Sequence, residues 1–200
     1  MKISTLRATA ALALALVLAG CGGKAMFDVS GVISTAGPLT NSGLVLANGT
    51  DTLSVPAGAT TFTFARQVAY GDNYNVVQQT PPDHMNCQVF NGSGSAGHTS
   101  SILVTVQCTQ NSYLLSGSVV GLKSTGTGLV LINGGGASAG PVTPGTDPSV
   151  SIGFQMGNVF DGNAYGVTVL TQPVGQTCTV TNGTGVMHDK PISNVLVTCI

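Results

Sequence analysis

Five cysteines, three histidines and seven aspartates are the residues best equipped for chemistry in this sequence. Cys87, Cys108, Cys178 and Cys199 fall into two pairs with one common spacing, which suits disulfides or a thiolate metal site. His84-Met-Asn-Cys87 has the His-x-x-Cys spacing of a ligand pair. Ser93, His98 and Asp83 supply the side chains of a nucleophilic triad, but the Gly-x-Ser-x-Gly elbow that would order them is missing. Asp51, Asp72 and Asp161 offer oxygens to calcium, yet they stand singly instead of as Asp-x-Asp-x-Asp-Gly. A side chain bonded to its own turn backbone accounts for each. His98, within Ser93–Ser101, and His188, in Met187-His-Asp-Lys190, read as polar turn tips, where a sandwich can graft a binding face. Gly134-Gly-Gly136 lacks the Lys-Ser/Thr that completes a phosphate loop. Sugar binding would want stacking rings. Trp is absent, and Phe62, Phe64, Tyr74 and Tyr165 fall at core parity, which leaves only Tyr70 and Phe160 near strand ends. No catalytic residue, metal ligand or cofactor site is expected, and an enzyme is not the reading.

The elements that carry these residues follow from composition. Lys and Arg number 6 and Asp 7, with no Glu, so only 6% of the chain is charged, against roughly a quarter in an average soluble protein. So few cations cannot build a nucleic-acid surface. Without Glu and with little Lys, amphipathic helices have no polar face. The chain of 200 residues, 28 of them Gly, is left as a β-biased polymer long enough for one domain or for two of about 90 residues.

The second option is favoured because the chain repeats itself. Phe27-Asp-Val-Ser-Gly31 returns as Tyr113-Leu-Leu-Ser-Gly117, and Gly43-Leu-Val-Leu-Ala-Asn-Gly49 as Gly128-Leu-Val-Leu-Ile-Asn-Gly134. Gly71-Asp-Asn-Tyr74 returns as Gly162-Asn-Ala-Tyr165, and Cys87-Gln-Val-Phe-Asn-Gly-Ser-Gly94 as Cys178-Thr-Val-Thr-Asn-Gly-Thr-Gly185. The offset grows between residues 134 and 154, so copy two carries an insertion, placed in the Gly/Pro/Thr-rich segment Gly135–Ser149 and expected to be a mobile loop. Short alternating runs broken by Asn-Gly, Asp-Gly or Pro predict strands in each copy, with no helix after residue 21. Ile102, Val104, Val106 and Cys108 share one parity, as do Val195, Val197 and Cys199, so the last strand of each copy puts its Cys on the apolar face. The expected fold is all-β: two tandem antiparallel β-sandwiches of immunoglobulin-like or transthyretin-like type, over 27–110 and 113–200.

The N-terminus reads as an address. Lys2 and Arg7 precede an apolar run, Ala8 to Leu18, too short to span a membrane. Leu18-Ala19-Gly20-Cys21 resembles the lipobox of bacterial lipoproteins. That resemblance implies a signal peptide over 1–20, lipidation of Cys21 and a short tether, 21–26, to the membrane. Gly22, where Asp would favour inner-membrane retention, points to the outer membrane. After cleavage, Lys24, Arg66, Lys123 and Lys190 face seven Asp.

The order Ser-Gly, Gly-Leu-Val-Leu-x-Asn-Gly, an aromatic strand, Gly-x-x-Tyr, Thr-Gln-Pro (171–173), Cys-x-Val, Asn-Gly-Thr-Gly and Val-x-Val-x-Cys resembles a tandem repeat of proteobacterial envelope lipoproteins. Copy one departs from it, with Thr80-Pro81-Pro82 at the Thr-Gln-Pro position. The resemblance implies architecture and compartment and supplies no catalytic residues. The repeats reach the last residue, so no effector domain is expected beyond them.

Cys21 takes the lipid, and four cysteines then allow three connectivities. The repeat selects one, because each copy holds one pair: Cys87–Cys108 and Cys178–Cys199. Folding 87–94 back on 101–108 as a hairpin sets Cys87 opposite Cys108 and Val89 opposite Val106. Copy two has Gly175-Gln-Thr-Cys178 in place of His84-Met-Asn-Cys87, so His84 reads as a solvated loop residue. The sequence therefore leads to a membrane-anchored envelope lipoprotein with a non-catalytic structural or interaction role and a protein or glycan partner of unstated identity. The alternative is a ligand- or carbohydrate-binding accessory protein that uses the sandwich end loops.

Overall fold

The computed structural model describes residues 23–35, 39–136 and 138–200. The signal segment, Cys21 and Gly22 lie outside them. Among the described residues there is no helix. The first half contributes β1 (Met26–Phe27), β2 (Val29–Thr35), β3 (Val45–Asn48), β4 (Asp51–Ser54), β5 (Thr61–Thr63), β6 (Val68–Ala69), β7 (Asn73–Thr80), β8 (Met85–Phe90), β9 (Ser93–Ser95) and β10 (Ile102–Gln110). The second contributes β11 (Ser112–Val120), β12 (Val130–Asn133), β13 (Ser138–Ala139), β14 (Ile152–Phe160), β15 (Ala164–Thr171), β16 (Cys178–Thr181), β17 (Thr184–Val186) and β18 (Ile192–Cys199).

Each half builds two four-stranded sheets around its own core. In the first, β5-β2-β10-β8 faces β4-β3-β7-β9; in the second, β14-β11-β18-β16 faces β13-β12-β15-β17. Strand for strand the two orders are the same, so the repeat in sequence is a repeat in topology. Alternation drives the layering: Ile102, Val104, Val106 and Cys108 of β10 are buried while the residues between them are more open, the signature of one face turned inward. Leu46, Val76 and Phe62 close the first core, and Leu131, Val167 and Phe154 the second.

Pairing is antiparallel with one exception in each half, a correction to the antiparallel expectation. The long strand that opens each four-stranded sheet pair lies parallel to the module's last strand, β2 with β10 and β11 with β18. Parallel neighbours cannot be joined by a tight turn, and here the whole module serves as the crossover. Gly31 and Gly117 sit on β2 and β11 where the backbones crowd. A Cβ on Gly31 would lie 2.2 Å from the Val104 carbonyl oxygen, and one on Gly117 2.1 Å from that of Val195. The Ser-Gly of each copy is thus a close-packing requirement.

Both disulfides join the predicted partners, Cys87 to Cys108 and Cys178 to Cys199. The register behind the first is the one read from the sequence, with Cys87 opposite Cys108 and Val89 opposite Val106. The insertion of copy two is less free than expected. Its described residues include buried Val142, whose N–H donates to the Leu129 carbonyl at 2.8 Å, and Pro148, whose carbonyl accepts from Gly121 N–H at 3.3 Å.

Candidate functional site

The two modules meet end to end, and the meeting point gathers the most unusual chemistry of the chain. β10 ends at Gln110 and β11 begins at Ser112, so one residue, Asn111, links the modules. Its two backbone groups are each bonded to one module. Asn111 N–H donates to the His84 carbonyl at 2.9 Å, and the Asn111 carbonyl accepts from Asp161 N–H at 2.9 Å. Gln110 Nε2 donates to the Asp161 carbonyl at 3.0 Å. A one-residue link with its polar groups satisfied on both sides has little freedom left to bend.

His84 comes from the turn between β7 and β8, at the far end of the first module. It has φ 60°, in the left-handed region that β-carbon sterics disfavour. Asp161 comes from the turn between β14 and β15, at the near end of the second module, and His188 from the turn between β17 and β18. Met187 N–H donates to the Asn163 carbonyl at 2.9 Å and Gly162 N–H to the Met187 carbonyl at 2.8 Å, which locks the last two turns together. Gly162, with φ +83°, also leaves space for the imidazole: a Cβ there would come within 3.1 Å of the His84 ring.

Asp161 is only 1% exposed, and neither carboxylate oxygen has a hydrogen-bond partner. His84 Nδ1 stands 3.0 Å from Asp161 Oδ1 and His188 Nδ1 3.7 Å from the same oxygen. The distances are those of ion pairs, yet neither nitrogen is aligned to donate a hydrogen bond. The imidazoles lie side by side, ring centroids 5.8 Å apart and tilted by 35°. Two nitrogen donors and one carboxylate therefore converge on one point from both modules. Such a set can share a proton or hold a cation.

The three residues lie in turns, as the sequence suggests, and the His84 and His188 side chains are partly open to solvent. What the sequence did not suggest is that they stand together, with the Asp161 carboxylate buried between the two imidazoles. Sequence reasoning missed the cluster because its members belong to different modules and each has an adequate local explanation. The available signal lay in the differences between the copies: His84 against Gly175, Asp161 against Tyr70, and His188 against Gly97.

The other candidates are not brought together. Asp83 lies beside His84 at the seam, and its N–H donates to the Ser42 carbonyl. His98 is exposed beyond β9, near the start of β10. Nine residues of β10 separate the two ends, which is about 30 Å of strand. Ser93 faces Asn75 in the β7–β9 pairing, so Ser93, His98 and Asp83 form no triad. Asp51 accepts from Arg66 N–H and Asp72 lies 3.4 Å from Lys24 Nζ, both exposed. Phe62 and Phe64 are buried edge to face, and Tyr74 and Tyr165 pack against the cores, as their parity predicts. Tyr70 and Phe160 are both largely exposed. They stand at the near ends of different modules, so they share no stacking platform.

No family model and no curated relative matches the chain. Among solved structures it is similar to a shaft pilin of Lactobacillus rhamnosus GG, at 12% identity and TM-score 0.30, over 87% of this chain and 98% of that one. It is also similar to the major pilin of Streptococcus pyogenes, at 11% identity and TM-score 0.36, over 88% of this chain and 98% of that one. Scores this low support no inference of role, and the fold assignment rests on the chain's own sheets.

Proposed function

We propose that this protein is a lipid-anchored envelope protein whose two stapled modules act as a stiff, non-catalytic spacer or interaction stalk. The observation that carries this reading is the seam. One linking residue, bonded to the His84 carbonyl on one side and to Asp161 N–H on the other, and one hydrogen bond that crosses between the modules, from Gln110 to the Asp161 carbonyl, hold the sandwiches more closely than a flexible linker would. A disulfide in each module, of the kind that persists in oxidising compartments, agrees with export. The Leu18-Ala19-Gly20-Cys21 box supports attachment through Cys21, with Gly22 favouring the outer membrane. The first module then stands next to the bilayer and the second projects away from it.

The test is fractionation of cells that express the wild type or Cys21→Ser. The wild type is expected in the outer-membrane fraction and the variant in the soluble fraction. A variant that stays with the membrane would refute the anchor.

A further inference from the structure

We propose that His84, Asp161 and His188 form a site for a divalent transition-metal ion of the zinc class, and that the bound ion bridges the two modules. Three independent observations lead there, none of which depends on the lipid anchor.

The first is the donor set. One atom from each residue can be chosen so that all three lie within 4.8 Å of one another. A tetrahedral ion with bonds of about 2.0 Å to imidazole and carboxylate holds its donors about 3.3 Å apart. The separations from Asp161 Oδ1, 3.0 Å to His84 Nδ1 and 3.7 Å to His188 Nδ1, fall on either side of that value. Two imidazoles and a carboxylate suit zinc and its neighbours more than calcium or magnesium, which want oxygen throughout. The exposed His188 side chain opens the cluster to solvent.

The second is the state of Asp161. A carboxylate 1% exposed with both oxygens unpartnered is costly unless a cation faces it. The imidazoles are close enough to share such a cation and are not oriented to donate hydrogen bonds in its place.

The third is the repeat. The same positions in the sister modules carry none of these ligands. His84 and Gly175 occupy equivalent left-handed turns, with φ 60° and 72°. Tyr70 N–H donates to the Ala25 carbonyl just as Asp161 N–H donates to that of Asn111, which makes Tyr70 the counterpart of Asp161. Gly71 N–H donates to the Ala96 carbonyl as Gly162 N–H does to that of Met187, which makes Gly97 the counterpart of His188. Among the positions where the copies differ, these three meet at the seam between the modules. At His84 the difference is a residue that the backbone disfavours.

Bound there, the ion would draw His84 from one module and Asp161 and His188 from the other, and would stiffen the seam when occupied. The experiment is a titration of the purified full chain, stripped with a chelator, using Zn2+ by calorimetry and Co2+ by its visible absorption. One ion per chain is expected, with the absorption of tetrahedral Co2+, displaced by Zn2+. His84→Gly and His188→Gly install the sister module's own residues and are expected to keep the circular dichroism of the wild type. Each should weaken Zn2+ binding by more than about tenfold. Absence of stoichiometric binding in the wild type would overturn the proposal. Unchanged binding in both glycine variants would also overturn it, because the ion would then sit elsewhere.

Discussion

His84 and Gly175 occupy the same turn in their respective modules, both in the left-handed conformation, but only His84 has a Cβ to crowd there. The first module accepts that strain at the point where its imidazole reaches the second module's Asp161. Strain of this kind persists only where the surroundings fix it, and it collects where a protein does something.

The strain has a measurable consequence. In metal-free protein, His84→Gly relieves the left-handed backbone but gives the unfolded chain more freedom. The two effects nearly offset, and the expected result in urea unfolding is between no change and a gain of about 1 kcal/mol. A loss larger than that would show that the imidazole itself holds the seam without a metal.

Gly31→Ala and Gly117→Ala should each destabilise their own module by about 3 kcal/mol or more, because the new methyl meets a backbone oxygen that cannot move aside. Phe62 and Phe154 crowd the same two positions. Differential scanning calorimetry should show the altered module melting earlier. An unchanged melting profile for either variant would contradict the parallel packing of β2 on β10 or of β11 on β18.

Removing a disulfide tests the staples. Paired Cys→Ala substitutions at Cys87 and Cys108, or at Cys178 and Cys199, should each cost about 3 kcal/mol from the lost constraint on the unfolded chain. The two losses should be similar, since the bridges close loops of the same length. Labelling of any of the four by a thiol reagent in the unreduced protein would contradict the pairing.

How much of this was legible in the sequence depends on whether a feature leaves a local trace. The inward face of β10 was legible, because alternation at Ile102, Val104, Val106 and Cys108 is written in four neighbouring positions. The hairpin register was legible because the spacing of Cys87 and Cys108 is shared by Cys178 and Cys199. The parallel pairing of β2 with β10 was not, since strands at opposite ends of a module carry no mark of their partner. The seam cluster was not legible for a different reason. A lone His or Asp in a turn is well explained by the turn, and only a position-by-position comparison of the copies sets His84, Asp161 and His188 apart from Gly175, Tyr70 and Gly97.

Through Asn111 and the hydrogen bonds around it, the two modules are proposed to tumble as a single rigid body. Backbone 15N relaxation of residues 22–200 is the deciding measurement. One rotational correlation time is expected for both modules, with order at Asn111 equal to that of β10 and β11. Separate correlation times for the two modules, with raised mobility at Asn111, would contradict it.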